Sequence, residues 1–463
     1  MADWMASYRE TIGERRIVPE VKPGEVAAQL PASLPVEAAP MDLILDDLDR
    51  VVMPGVVHWG HPAFVGYFGS TSNGPALLGE MVAATLNVSA MTWATSPAAT
   101  ELEARVVEWM RELVSLPDAF MGVVYDTASV GLAHALAVAR SRAVPDVRTR
   151  GLQGAPRLVV YASSEAHSSI EKAMIMLGLG EGNVVRVPTD DAMRMDVSAL
   201  RDLMRRDVAA GARAMAVVAT VGTTSTASVD DVRAIAAACV EHGAWLHVDA
   251  AYGGAMAVLP EGRWAMDGTE LADSVIVNPH KWMFVPLDFS VLFTRHPAEL
   301  RAVFSLVPEY LEGDSAAGET VDYMDYGIQL GRRFRALKAW MALRALGRSG
   351  LESRIREHCR LAALFAEWVG EHEEFELAAP PSMAVVCFRA RGDDALNEAI
   401  VQRVKDSGRA YITHTRIGGR TCLRVGIGNI ATTEVHLASV WREIVVARES
   451  VAPGPVSTEN SAD

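Results

Sequence analysis

Between about residues 100 and 300 the apolar positions follow two alternating spacings. "TELEARVVEWMRELVSLP" (100–117) repeats them every three or four residues and stops at Pro117, which predicts an amphipathic helix. "MGVVYDTASVGLAHALAVARSRA" (121–143) opens as a short strand and continues as a helix. "RLVVYAS", "AMAVVATVG", "AWLHVDAA" and "SVIVNPH" are short apolar runs separated by helical stretches such as "SVDDVRAIAAACVEHG". Short strands spaced by helices predict an α/β fold with a mostly parallel sheet covered on both faces. Ligands of such sheets sit beyond the carboxyl ends of the strands. Polar residues gather there in this chain: after VVY, YAS and VAT, at HVD and at VNPHK.

The flanks read differently. Residues 1–73 are Pro-rich with short helical patterns, among them "PMDLILDDLDRVVMPG" (40–55). A helical segment that cannot bury its own apolar face needs another surface, so this one is expected to serve dimerisation. Residues 74–345 form the expected large α/β domain and 346–450 a smaller α+β domain, ending in the helix around "EVHLASVWREIV". Residues 451–463 lack core-forming side chains and are expected to be a disordered tail.

Charge and composition remove several functions. The net charge of −15 argues against a nucleic-acid or anionic-membrane partner. No apolar run is long enough to cross a bilayer, and the first residues lack the apolar stretch of a secretory signal, so a cytoplasmic location is expected. Cys239, Cys359, Cys387 and Cys422 are widely spaced, which predicts core thiols rather than a metal site or a disulfide framework.

"SVIVNPHKWM" (274–283) places a lysine at a strand end between an imidazole and an indole. Asp249 closes the preceding strand, "WLHVD". Alone, Asp249 can cap a helix and Lys281 can reach solvent from a strand end. Together on adjacent strand ends they suit pyridoxal phosphate, which needs a lysine amine and an acid beside its pyridine nitrogen. Thr127 and Ser129 in "DTAS", at a strand-to-helix turn, can bind its phosphate or cap the helix. Asn278 and His280 flank the lysine turn, and His167 in "YASSEAHSSIEKA" can stack on a flat ring. Thr224 in "VGTTSTAS" can hold a cofactor oxygen or cap a helix at Ser228.

The chain resembles the group II pyridoxal-phosphate decarboxylases, most closely the aromatic-L-amino-acid decarboxylase family, from "IVPEVKPGE" to the last helix. The segments that carry the resemblance are "MPGVVHWGHPAFVGYF", "TWATSPAATELE", "AHSSIEKA", "HVDAAYGG", "NPHKWM" and "LGRRFRALKAW". It implies the PLP-dependent transferase type I fold (aspartate aminotransferase-like), pyridoxal 5'-phosphate as cofactor, and a homodimer with shared active sites. Lys281 then corresponds to the lysine that bonds the cofactor, Asp249 to the partner of the pyridine nitrogen and Ala251 to a small residue against the ring. His167 corresponds to the stacked histidine and Thr224 to the threonine near the phenolic side. Thr127, Ala128, Ser129, Asn278 and His280 match the phosphate cradle, with Trp282 packed behind the turn.

In the family a tyrosine on a mobile loop returns a proton to Cα. "LEGDSAAGETVDYMDYGIQLGRRFR" (311–335) fits that loop, with Tyr323 at the matching place and Tyr326 as its rival. Members with phenylalanine there release an aldehyde. The substrate wall corresponds to Trp59, Tyr67 and Phe68, and no arginine in that stretch can take a second carboxylate. Gly331 matches a position where glycine leaves room for an indole. Gly69, Ser70, Ser89 and Met91 depart from the family pattern, Ser89 and Met91 at positions expected from a neighbouring subunit, and Asp126 replaces a glycine beside the phosphate site. The resemblance implies decarboxylation of tryptophan, phenylalanine, tyrosine or dopa to the amine. Valine or leucine decarboxylation, aromatic aldehyde synthesis and a cofactor-free binding protein are the alternatives.

Overall fold

Runs of Val, Ala and Ile without polar interruption need cover on both faces, and the structure supplies it. The computed structural model describes residues 2–306 and 320–451. The expected tail beyond residue 451, and residues 311–319 of the expected loop, lie outside the described residues. The chain divides into two units, one built from residues up to Gly69 with those from Arg360 onward, the other Ser70–Cys359. The N-terminal segment and the C-terminal region, separate in the sequence pattern, share the first unit.

The second unit is built on a seven-stranded sheet. Its strands are β1 (Met121–Tyr125), β2 (Leu158–Ser163), β3 (Val184–Val187), β4 (Arg213–Thr220), β5 (Trp245–Asp249), β6 (Ser274–Val277) and β7 (Ser290–Thr294), in the order β1-β7-β6-β5-β4-β2-β3. The run from β3 to β6 is parallel. β7 is antiparallel to both β6 and β1, so β1 points the same way as β6. The carboxyl ends of β1, β2, β4, β5 and β6 therefore share one edge, where the polar residues cluster. Helices Ala128–Ala143, Ser169–Met176, Val197–Ala209 and Val232–His242 connect and cover the strands. The helix-and-strand pattern did not announce β3 or β7. β3 is a half-buried edge strand, and only the single helical turn Pro279–Trp282 and the link 283–289 precede β7.

The first unit holds a four-stranded antiparallel sheet, β8 (Phe375–Leu377), β9 (Val385–Ala390), β10 (Thr413–Ile417) and β11 (Arg420–Gly426), in the order β10-β11-β9-β8. Phe365, Phe375, Phe388 and Trp441 make its aromatic core, with ring centroids 5.1 to 6.2 Å apart. The N-terminal segment leaves Leu34, Val36 and Met41 exposed. Among the described residues no helix is long and apolar enough to cross a membrane, and no group of His, Cys, Asp and Glu could hold a metal ion.

One buried group makes stability depend on pH. His247 in β5 is fully buried; Trp245 Nε1 donates to Ser274 Oγ at 2.8 Å, and the Ser274 hydroxyl lies 2.8 Å from His247 Nδ1. Burial pushes His247 down from 6.5 to about 4. The unfolded chain therefore takes up this proton first, and the contribution, full above pH 6.5, is lost as pH falls toward 4. It amounts to about 3 kcal/mol at the acid end. Melting midpoints measured across that range should fall, with a shallower fall in His247→Asn; equal slopes would refute the assignment.

Candidate active site

β5 and β6 are neighbours in register, Asp249 opposite Ile276, so their ends lie side by side. Asp249 Oδ1 accepts from the Ala251 amide at 3.0 Å, which leaves Oδ2 for a proton-bearing ring nitrogen. Ala251 is buried, and its carbonyl accepts from the Asn278 amide at 3.2 Å, tying the two strand ends together. Pro279 opens a single helical turn, Pro279–Trp282, where its missing N–H costs nothing. Successive side chains on such a turn point about 100° apart. His280 and Trp282, on nearly opposite sides of the turn, are both buried, while Lys281 between them stays half-buried. Trp282 stacks on Tyr252 (5.0 Å, 13°) and donates from Nε1 to His358 Nδ1 at 2.9 Å.

Each ring nitrogen near the lysine has a defined role. His280 Nδ1 accepts from the Phe289 amide at 3.0 Å, so its proton sits on Nε2. Burial, reinforced by the Lys281 charge, pushes His280 down to about 4. His167 Nδ1 accepts from the Ser169 amide at 3.1 Å and lies 2.9 Å from its hydroxyl. Burial lowers His167, Asp249 opposes the shift and Lys281 adds to it, so these three groups act on one another.

The end expected to take the phosphate is built by β1, β6 and β7. Ser290 Oγ lies 2.5 Å from Asn278 Oδ1 and 3.3 Å from the Asp126 carbonyl, bridging the ends of β6 and β1. Bonding at Oδ1 leaves the Asn278 NH₂ as a donor. Asp126 Oδ1 turns onto its own neighbour, accepting from the Thr127 amide at 2.6 Å and from Thr127 Oγ1 at 3.3 Å. Thr127 starts the Ala128–Ala143 helix without a side-chain cap, so the simple capping role does not apply. The Ala128 and Ser129 amides begin a 16-residue helix, whose N-terminus favours an anion.

Thr224 is exposed. The neighbouring turn is made instead by Thr223, whose hydroxyl lies 3.1 Å from Thr226 Oγ1 and accepts from the Ser228 amide at 3.0 Å. Ser228 starts no helix: the next one begins at Val232, capped by Asp231, which accepts from the Ala234 amide at 3.0 Å.

Residues 23–391 match the model of the pyridoxal-dependent decarboxylase conserved domain. The chain belongs to the pyridoxal-dependent decarboxylase family. It is 38% identical to the aromatic-L-amino-acid decarboxylase of Sus scrofa, over 96% of this chain and 94% of the relative. It is 37% identical to the phenylacetaldehyde synthase of Arabidopsis thaliana, over 96% and 93%. The crystal structure of Oryza sativa TDC with PLP and tryptamine superposes with a TM-score of 0.94 at 35% identity, covering 97% of this chain and 96% of that one.

This decarboxylase is a carbon–carbon lyase with pyridoxal phosphate as cofactor. Its donor set fits that group: an amine, a carboxylate with one oxygen to spare, a neutral imidazole and a helix N-terminus at the same sheet edge.

The other expected residues fall into two further groups. One surrounds Tyr323. Met91 O accepts from the Met324 amide at 3.1 Å, and Ser89 Oγ accepts from the Arg332 amide at 3.3 Å, next to Gly331. Tyr323 was expected on an open loop; it is buried in a short turn, Tyr323–Tyr326, with the Arg332 guanidinium 4.8 Å above its ring. Arg332 is itself buried and paired with Glu103 at 2.6 Å. Burial drives the Tyr323 phenol well above its ordinary pKa.

The last group is in the first unit. Trp59 stacks on Tyr67 (5.4 Å, 8°) and packs on Phe64, which stacks on Tyr411 (4.6 Å, 17°). Trp59 and Tyr67 keep 43% and 48% of their surfaces exposed. Tyr67 has φ 53°, a left-handed conformation uncommon for an aromatic residue. Arg424 donates to its carbonyl at 2.7 Å and spreads over Phe68 at 4.6 Å. Gly69 ends this unit and Ser70 begins the other. Sequence reasoning passed over Ser290, Glu103, Arg332 and Arg424. Glu103 and Arg332 lie inside segments that carried the resemblance, whereas Ser290 depends on the unrecognised β7.

Proposed function

We propose that this enzyme decarboxylates an aromatic L-amino acid to the amine and carbon dioxide, with tryptophan the favoured substrate and phenylalanine, tyrosine and dopa within range. The observation that carries the reading is the exposed, stacked pair Trp59 and Tyr67, a flat apolar face suited to an aromatic side chain. Nearby carboxylate-binding capacity is limited, because Arg424 is engaged with Tyr67 and Phe68.

Lys281, Asp249, His167 and Ala251 would hold the ring of pyridoxal phosphate, and Thr127, Ala128, Ser129, Asn278 and His280 its phosphate. When bound, the cofactor takes up the electron pair left as the carboxyl group departs. Asp249 keeps a proton on the ring nitrogen through its spare oxygen. The neutral His167 covers one face and excludes water. Tyr323, kept protonated by its burial, donates to Cα.

A homodimer with shared sites accounts for two exposed apolar surfaces: Leu34, Val36 and Met41 in one unit, and Leu78, Met81, Val82 and Leu86 on helix Gly74–Leu86 in the other. The four cysteines form no disulfide, which suits a reducing cytoplasm.

The test is a product assay on holoenzyme with tryptophan, tyrosine, phenylalanine, dopa, valine, leucine and glutamate. Aromatic amine and carbon dioxide in equal amounts support the reading. Aldehyde with ammonia and peroxide would favour the synthase alternative, and amine from valine or leucine alone would overturn the aromatic pocket. Gly331→Ser sharpens this test, since among the described residues only Ser89 Oγ, at 4.0 Å, lies near the added Cβ. We expect intact folding and roughly a 10-fold loss in kcat/KM for tryptophan relative to tyrosine. An unchanged ratio would remove Gly331 from the pocket.

A further inference from the structure

The turn that carries Tyr323 is fastened by two side chains that the reaction scheme does not use. His134, in the helix Ala128–Ala143, is buried, with its ring stacked on Tyr125 at the end of β1 (4.6 Å, 13°) and in tilted contact with Phe304 (4.6 Å, 51°). Its Nε2 accepts from the Ile328 amide at 3.1 Å. That bond requires the ring proton on Nδ1, which lies 2.6 Å from the Val130 carbonyl and donates to it. The Tyr125 hydroxyl donates to the Tyr326 carbonyl. Between these two anchors sits Gly327, where a Cβ would come within 3.1 Å of both His134 Nε2 and Tyr125 Cε1. The start of the turn is fixed too: Asp322 Oδ1 accepts from the Trp93 amide at 2.8 Å, and Asp325 pairs with Arg301 at 2.8 Å.

We infer that His134 and Tyr125 are positioning residues for Tyr323, clamping Tyr326–Ile328 so that the phenol is presented in one orientation. The inference rests on the proposed role of Tyr323 as the proton donor to Cα. A histidine on a mostly apolar helix face and a tyrosine at a buried strand end both read as ordinary core residues in the sequence. Only the fold brings them to the same three residues. A proton donor displaced by about 1 Å can lose up to 100-fold in rate while substrate binding is unchanged. The electron pair at Cα then persists long enough for dioxygen to take it. With dioxygen and water as co-reactants, the products are aldehyde, ammonia, hydrogen peroxide and carbon dioxide, which balances the step.

The experiment compares holoenzyme of wild type, Tyr125→Phe, His134→Phe, His134→Gln and Tyr323→Phe. Tyr125→Phe removes one hydroxyl and keeps the stacked ring, so it preserves the fold even if His134→Phe does not. We expect faster amide exchange at Tyr326–Ile328 in Tyr125→Phe and His134→Phe. Amine kcat should fall roughly 10-fold or more with KM within about 2-fold, and the aldehyde share should rise. His134→Gln, whose side-chain oxygen can accept the Ile328 N–H, should stay near wild type. Unchanged exchange, or faster exchange with unchanged kcat and product ratio, overturns the inference. If Tyr323→Phe alters the products while both clamp variants match wild type, only the clamp fails. If Tyr323→Phe also makes amine at the wild-type rate, the donor role fails with it.

Discussion

Lys281→Ala is expected to cut amine formation by on the order of 10⁴-fold or more and to abolish the visible absorption band of the lysine-bound cofactor. The Lys281 amine is the group proposed to bond the cofactor covalently, and the turn that presents it is held by contacts outside its side chain. The Lys281 amide donates to the Asn278 carbonyl at 2.9 Å, His280 is held by the Phe289 amide, and Trp282 by His358. Folding should therefore survive, with the phosphate cradle still binding pyridoxal phosphate weakly and without the band. Spectra and equilibrium dialysis on the purified variant check this directly. A variant that keeps the band would mean that another lysine serves the site.

Tyr323→Phe should lower amine formation by roughly 10²- to 10⁴-fold and turn the remaining flux toward aldehyde, ammonia and hydrogen peroxide, with dioxygen consumed. The hydroxyl is the only atom lost. The ring keeps its place under the Arg332 guanidinium and against Tyr326, so melting behaviour should hardly change. Quantifying amine, aldehyde and peroxide per carbon dioxide released separates the outcomes. Wild-type amine yield from this variant would transfer the proton-donor role to another group, with Tyr326 first in line.

The parts of the site that the sequence disclosed were those where a strand end and its following turn are contiguous. Asp249 with Ala251, and Asn278 with His280 and Lys281, are each a few residues of chain, so composition and order expose them. Contacts that join distant segments stayed hidden. Ser290 bridges Asn278 and Asp126 only because β7 lies between β6 and β1. Asp126 looked like a charge aimed at the phosphate site, and its carboxylate instead folds back onto Thr127, a rotamer choice no pattern encodes. Tyr323 was expected on an open loop because glycine and serine precede it. Its own environment is set by Arg332 further along the same segment and by Met91 and Trp93, which are remote in the chain. Thr223 and Thr224 are adjacent, yet one is buried and the other exposed, a difference the sequence does not carry.

The placement of β7 also bears on the order in which the protein is assembled. β1 is an edge strand, and its single partner in the sheet is β7. During synthesis, the segment ending at residue 125 must wait for residues 290–294 before it can pair. β2 to β6 can meanwhile form a parallel core from nearer segments, at a smaller loop-closure cost. The helix start proposed to receive the phosphate follows β1 in the chain, whereas Asp249 and Lys281 belong to that earlier core. That helix already rests on the earlier core, since a Cβ at Gly131 would come within 2.5 Å of the Ile276 side chain in β6, so a chain that ends before residue 290 lacks Ser290 and the β7 side of the site. Completion of the site, rather than its start, is what waits for β7.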